Sequence, residues 1–134
     1  MRIPLLHSAA TVAVVAVLAA GCGGGSGGGG SSAAASSTPA NAQVVEIDVA
    51  QSGFAFTKTT ATANAGTVEL KSMNPQSVSH DISIKGNGVD EHGNLVSGGG
   101  VSTVTVDLKP GTYTFYCSVP GHEQAGMKGT LTVS

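Results

Sequence analysis

The chain has 134 residues, with six basic and eight acidic side chains and a formal net charge of −2. A chain with no basic excess has little with which to bind a phosphate backbone, so nucleic acid is excluded as a partner. Composition changes sharply near residue 42. The part that follows, residues 42–134, is long enough for one modest hydrophobic core and too short for a second domain.

The first 21 residues have the composition of a signal peptide. Arg2 precedes an uncharged run rich in Ala and Val, which is shorter than the ~20 apolar residues of a membrane-spanning helix. The run ends in Leu18-Ala-Ala-Gly-Cys22, which resembles the lipobox of bacterial lipoproteins, with the leucine one place further from the cysteine than usual. The resemblance implies that Cys22 is lipidated and anchors an extracytoplasmic protein to the cell membrane, at the cell surface or in the periplasm. The alternative is an ordinary signal peptide cut near Ala20.

Residues 22–41 consist almost wholly of Gly, Ser, Ala, Thr and Pro after the cysteine. Such a segment has too little apolar surface to offset the entropy of ordering it, so we expect a flexible, disordered linker. If Cys22 is lipidated, Cys117 is the one remaining thiol and no disulfide can form within the chain. A single exported thiol needs burial, a metal or some other protection from oxidation.

From Val45 onward, apolar and polar residues alternate in short runs separated by Gly, Pro, Asn and Ser. This pattern is typical of half-buried antiparallel strands, and helical periodicity is absent. We therefore expect an all-β domain over residues 42–134, a Greek-key β-sandwich of about six to eight strands. The longest loop is predicted over Gly86 to Gly100, and it carries the acidic pair and a histidine: Asp90, Glu91 and His92.

Strand parity predicts which side chains face the core. His80 shares parity with Ile82 and Ile84, and Cys117 shares it with Phe115, so both are predicted to point inward. The polar residues that follow His80 are predicted to point away: Asp81, Ser83 and Lys85. An inward imidazole needs a partner, because burying it unsatisfied costs free energy.

The remaining histidine of the domain and its aromatic residues have simpler interpretations. His92, in a glycine-rich loop beside two acidic residues, is predicted to be solvated and not a second metal ligand. The aromatic side chains are predicted to pack in the core or across strands: Phe54, Phe56, Tyr113, Phe115 and Tyr116.

Four residues form a candidate metal site: His80, Cys117, His122 and Met127. One thiolate, two imidazoles and one thioether suit copper best, in the arrangement of a blue-copper centre. Pro120-Gly121 is a turn dipeptide that brings the chain from Cys117 round to His122. Taken singly, the four could be a hydrogen-bonded core histidine, a buried free cysteine, a loop histidine and a core methionine. Their occurrence together at these spacings favours the metal.

The segment Tyr113–Val133, together with Ser79-His80-Asp81-Ile82, resembles the ligand sequences of the cupredoxin family, which includes plastocyanin, azurin and auracyanin. The four-residue gaps on both sides of His122 are most similar to the auracyanin pattern. The resemblance implies a cupredoxin-like sandwich with one type 1 copper ion per chain. By it, Cys117, His80 and His122 are the equatorial ligands and Met127 is the long axial ligand.

The resemblance also implies a supporting layer and a docking surface. Ser79, Asp81 and Ser118 flank the ligands, and Asp81 stands where many family members have Asn. An Asp can accept a hydrogen bond from Ser118 but cannot donate one as an amide does. Redox partners are expected to dock near His122, on an apolar surface built from Val119, Pro120, Gly121, Ala125 and Gly126.

The leading hypothesis for function is a monomeric electron carrier, not an enzyme, which passes single electrons between membrane-associated redox partners. The alternative is an extracytoplasmic protein that binds and delivers copper without redox cycling. Delivery proteins more often use exposed, methionine-rich sites, and this chain has only Met73 and Met127 after Met1. A third possibility, a sandwich that only binds partners, leaves the complete ligand set without a purpose.

Overall fold

The structure is a computed structural model, and it describes residues 38–134. The predicted signal peptide (residues 1–21), the lipidation site at Cys22 and most of the linker predicted over residues 22–41 lie outside the described residues. Residues 38–41 are exposed and lead directly into the first strand.

The described chain is all-β, as the alternation predicted, and has eight strands. They are β1 (Gln43–Glu46), β2 (Thr60–Ala63), β3 (Gly66–Asn74), β4 (Ser83–Gly86), β5 (Val89–His92), β6 (Gly100–Leu108), β7 (Gly111–Tyr116) and β8 (Lys128–Val133). Residues 38–134 contain no helix that is long and apolar enough to cross a membrane.

The strands form two sheets, which confirms the predicted β-sandwich. One sheet has three strands in the order β1-β3-β6, and the other has five in the order β2-β8-β7-β4-β5. Four strand pairs are antiparallel, but β1 with β3 and β2 with β8 are parallel. These two pairs are exceptions to the antiparallel pairing that the alternation indicated. The first exception arises because β2 belongs to the opposite sheet, so the chain crosses over before β3 pairs with β1.

The core lies between the two sheets and is mostly aliphatic. Phe56 and Phe115 pack edge to face within it, with ring centroids 5.6 Å apart, the arrangement that aromatic pairs favour. The large apolar side chains without any exposed surface come from both sheets and the segments that join them: Ile47, Val68, Leu70, Ile82, Ile84, Phe115 and Leu131.

The long loop predicted over Gly86–Gly100 is wrong in its first half, which forms β5. Strands β4 and β5 pair antiparallel with Gly86 opposite Val89, so Asn87 and Gly88 alone make the turn. Both have positive φ, 51° and 82°, which is the geometry of a type I′ hairpin turn. Asn-Gly is the sequence signal for that turn, and the glycine-rich composition of the segment obscured it.

Strand parity around His80 was half correct. Ile82 and Ile84 face the core and Lys85 is partly exposed, but Asp81 and Ser83 are buried, at 2% and 0% exposure. They can be buried because each polar group has a partner: the Ser83 hydroxyl donates to Asp81 Oδ2 over 2.9 Å.

A close approach makes Gly129 on β8 essential to this packing. A Cβ at Gly129 would overlap the ring of Phe115 and lie 2.5 Å from the carbonyl oxygen of Thr59. We expect Gly129→Ala to lower the free energy of unfolding by about 1–3 kcal/mol, because neither the backbone nor the buried ring can move away freely. Denaturant titration of the purified protein measures the change.

The matched control for this substitution is Thr130→Val on the same strand, where the side chain is exposed. It is expected to change stability by less than about 0.5 kcal/mol. Equal stability of Gly129→Ala and the unaltered protein would show that the Phe115 ring and the Thr59 carbonyl do not approach Gly129 as closely as described.

Candidate metal centre

The first candidate ligand, His80, is fixed by the backbone on which it stands. It forms an isolated antiparallel bridge with Val96, with His80 N donating to Val96 O and Val96 N to His80 O, both over 2.9 Å. Its side chain has no exposed surface, in agreement with the parity argument. The Nε2 atom is buried without a hydrogen-bond partner among the described residues.

The other three candidates belong to one loop, which continues the β7–β8 hairpin. Cys117 N donates to Met127 O over 3.1 Å, and this bond closes the base of the loop. Inside it, His122 N donates to Val119 O and Met127 N donates to His122 O, each over 3.0 Å. Gly121 has φ +87°, a conformation that a residue with a Cβ rarely adopts.

The two segments bring three donor atoms into one small triangle. Cys117 Sγ lies 3.8 Å from His80 Nδ1 and 3.5 Å from His122 Nδ1, and the two Nδ1 atoms are 3.2 Å apart. A point equidistant from the three lies about 2.0 Å from each, close to the bond lengths that transition metals form with nitrogen and sulfur. All three residues are buried, so the triangle fits a trigonal metal ion.

Met127 stands beside this triangle. Its side chain has no exposed surface, and its backbone is hydrogen-bonded to both Cys117 and His122. The structure thus brings all four predicted residues into one buried region. A thioether added to one thiolate and two imidazoles makes up the donor set that favours copper over zinc.

Burial also disfavours the charged forms of two of these side chains, Cys117 and His80. It raises the pKa of the Cys117 thiol, because the thiolate is disfavoured away from water. Burial and then the neighbouring His122 lower the pKa of His80, while Asp81 opposes the change. A metal ion must therefore displace the Cys117 proton, and its binding becomes tighter as the pH rises.

Asp81 links the two ligand-bearing segments. Its Oδ1 accepts from the backbone N–H of Ser118 over 2.6 Å, and its Oδ2 accepts from the Ser118 hydroxyl over 2.5 Å. Both contacts are made by Ser118, the residue after Cys117. Asp81 itself follows His80, so its carboxylate holds the start of the ligand loop against the segment that carries His80. Ser79 is half-buried, and the structure shows no side-chain hydrogen bond from it within residues 38–134.

Sequence reasoning missed the part that Phe54 plays here. Its predicted place in the core is wrong: the side chain is 46% exposed, and its ring lies against His122 with centroids 4.4 Å apart. Residues 51–54 form a bend between Val49 and Phe56, so Phe54 does not stand on a strand. The other four aromatic residues are buried as expected.

Outside the triangle, the structure leaves His92 exposed, as predicted. Its Nδ1 lies 3.3 Å from the Ser83 hydroxyl. Nearby, the Tyr116 hydroxyl donates to Asp90 over 3.0 Å. Burial, and then this hydrogen bond, raise the pKa of Tyr116 to about 12.

The surface next to His122 has the composition that the sequence led us to expect. Val119 is half-buried, and four small or apolar residues of the loop are exposed: Pro120, Gly121, Ala125 and Gly126. The His122 side chain reaches toward this surface, with 9% of the residue exposed.

A β-sandwich in which one cysteine and two histidines converge beside a buried methionine is a metalloprotein of the blue-copper class. Comparison with known proteins agrees. A family model described as copper binding proteins of the plastocyanin/azurin family matches residues 42–134. The chain belongs to this family, the cupredoxins, and its cofactor is a single type 1 copper ion.

Auracyanins are among the similar proteins. A 25-residue segment is 68% identical to auracyanin-B of Chloroflexus aurantiacus, and it spans 19% of this chain but only 11% of that protein. The structure of auracyanin B has 30% identity and a TM-score of 0.62, with 72% of this chain and 91% of that one covered. The structure of auracyanin A, a "blue" copper protein from Chloroflexus aurantiacus, has 27% identity and a TM-score of 0.59, with coverage of 68% and 98%.

The contacts of Asp81 predict different outcomes for its two simplest substitutions. Asp81→Ala leaves the donors of Ser118 and Ser83 without their acceptor, and we expect the free energy of unfolding to fall by about 2–3 kcal/mol. Asp81→Asn keeps one acceptor and can donate to a hydroxyl oxygen, so the loss should stay below about 1 kcal/mol. Denaturant unfolding of the metal-free protein measures the stability of both variants. An equal loss in the two would contradict the role assigned to the hydrogen bonds of Asp81.

Proposed function

We propose that the protein is an electron carrier, not an enzyme, that accepts one electron from a redox partner and passes it to another. Bound copper supplies the one-electron Cu(II)/Cu(I) couple. The chain's contribution is to hold the ligands in place while the charge of the site changes. His80, Cys117, His122 and Met127 would hold the ion, with one thiolate, two imidazoles and one thioether as donors.

The observation that carries this proposal is that backbone hydrogen bonds hold each corner of the ligand triangle. His80 is held through Val96, and Cys117 and His122 are held through Met127. A preorganised polar site has little rearrangement to make when charge changes, and this keeps the barrier to electron transfer low. Copper delivery would instead favour an open site from which the ion can leave, whereas all three donors here are buried.

Partners are proposed to dock on the loop surface around His122. The exposed residues there are small or apolar, so another protein can approach the imidazole closely without displacing charged side chains. Glu123, the charged residue that follows His122 in the loop, is paired, since its Oε1 lies 2.6 Å from Lys85 Nζ on β4. Such a surface suits short-lived encounters, which bury little area.

We also propose that the domain works outside the cytoplasm as a monomer tethered to the membrane through Cys22 and the linker over residues 22–41. Tethering would hold the domain near membrane-bound partners and raise its effective concentration there. Mass spectrometry of the mature protein tests this: a chain that begins at Cys22 and carries acyl groups is expected, and an unmodified N-terminus would exclude the anchor.

The function itself is tested by the visible spectrum of the purified full chain after addition of Cu(II). We expect an intense thiolate-to-copper charge-transfer band that bleaches with one electron equivalent per copper and returns on oxidation, because Cys117 supplies a thiolate to the ion. The control is Cys117→Ser, which replaces the sulfur by oxygen at nearly the same size and should lack the band.

The alternative outcomes separate the remaining possibilities. Copper binding without the band would mean that Cys117 is not an equatorial ligand and would favour copper handling. A band that appears, together with loss of the ion to a chelator at each reduction, would also favour delivery over electron transfer. The same band in Cys117→Ser would contradict the assignment of the thiolate.

A further inference from the structure

Phe54 occupies an unusual position for a large apolar residue. Nearly half of it is exposed, yet its ring makes a tilted stack on His122, at 4.4 Å between centroids and 38° between planes. The same ring presents an edge to His80, with centroids 6.2 Å apart. Phe54 is the one non-ligand residue in the described part of the chain whose ring contacts both histidines of the site.

The loop that carries Phe54 is firmly held, so this contact is not the result of a loose segment. Ala50 N donates to Ala55 O over 2.9 Å and closes the loop. From the other side, Gln76 Nε2 donates to Ala50 O over 2.8 Å and to Gly53 O over 3.0 Å. One side chain therefore fixes both the start of the loop and the residue before Phe54.

The same anchor is connected to the backbone of His80. Gln76 N donates to Asn74 Oδ1 over 3.0 Å, and Asn74 Nδ2 donates to Val96 O over 2.7 Å. Val96 O also accepts from His80 N. Asn74 is fully buried. Its side-chain amide thus joins the Phe54 loop and the His80–Val96 bridge in one hydrogen-bonded unit. This unit sets the position of the Phe54 ring relative to His80.

We propose that Phe54 is a positioning residue of the metal site, a ring that covers His122, holds its imidazole toward the other two ligands and slows exchange of copper with solvent. Four residues of the loop that carries His122 are small or apolar and exposed, so they give its imidazole little cover: Pro120, Gly121, Ala125 and Gly126. The ring supplies this cover from a distant part of the chain. The inference deepens the proposed function, because it rests on the copper site but not on the identity of any partner.

The first test is the rate at which copper leaves the loaded full chain for an excess of a strong chelator, followed by the loss of the visible band. Removal of one aromatic contact in Phe54→Ala should accelerate transfer about threefold to tenfold, the factor that corresponds to a typical ring pair. Phe54→Tyr keeps the ring and should stay within about twofold of the unaltered protein.

Two further variants separate this effect from a general loss of stability. Val44→Ala is the matched control, because Val44 is 45% exposed and stands on β1, which pairs with β3 and carries no ligand. This substitution should not change the rate of copper transfer to the chelator. Gln76→Ala keeps the Phe54 ring but removes the two hydrogen bonds that anchor its loop. It should accelerate transfer in the same direction as Phe54→Ala and by a smaller factor.

A second measurement needs no copper. In the metal-free protein, the ring current of Phe54 should shift the NMR signals of the His122 ring, and these signals should move and broaden in Phe54→Ala while core amide signals stay unchanged. The same variant, loaded with Cu(II), should show an altered electron paramagnetic resonance spectrum, whereas Val44→Ala should not.

The inference is overturned if Phe54→Ala releases copper at the rate of the unaltered protein, or if Phe54→Tyr releases it as fast as Phe54→Ala. Failure of the proposed function has a different signature. If the unaltered protein forms no blue site at all, the chelator experiment has no starting state, but the metal-free NMR comparison still decides whether Phe54 holds His122.

Discussion

The structure depends on the burial of three polar side chains at one place: His80, Cys117 and His122. Their donor atoms lie closest to one another. A thiol and two imidazole nitrogens lie within hydrogen-bonding distance at the centre of the site. In an apolar interior such a group is costly unless something satisfies it, and a soft metal ion satisfies all three at once. The sandwich, the bridge to Val96 and the hydrogen bond that closes the ligand loop hold these donors together. Much of the surrounding architecture can be understood as supporting that arrangement.

That support has two layers with different chemistry. The inner layer is backbone hydrogen bonding, which fixes the three corners of the triangle regardless of most side-chain choices. The outer layer consists of side chains that join separate segments: Asp81 binds the start of the ligand loop, and Asn74 and Gln76 bind the loop that carries Phe54. Because the outer layer depends on side chains, it is where related proteins can differ in redox behaviour while they keep the same ligands. Asp81 belongs to this outer layer, since its carboxylate accepts from both the backbone N–H and the hydroxyl of Ser118.

Much of the fold followed from alternation alone, because a half-buried strand must place apolar residues on one face. The inward positions of His80 and Cys117 came from that parity, and the ligand set came from the chemistry of the residue types. Local patterns gave the wrong surroundings for Phe54 and Asp81. Phe54 lies on a bent loop and faces the ligands and not the core, and Asp81 is buried because Ser118, 37 residues away in sequence, supplies donors. Contacts of this kind depend on tertiary structure, which no local pattern contains.

The loop that carries three of the four candidate ligands has a further consequence. Strands β7 and β8 are paired from Gly111, opposite Val133, to Tyr116, opposite Lys128. One backbone hydrogen bond, from Cys117 N to Met127 O, then closes the base of the loop. The residues between those two lie outside the β7–β8 ladder, although side chains of other segments contact them, as Asp81 does at Ser118. Insertions or deletions inside the loop leave the strand ladder intact, so evolution can change the length of the loop, and with it the geometry of the metal, without redesigning the sandwich beneath it.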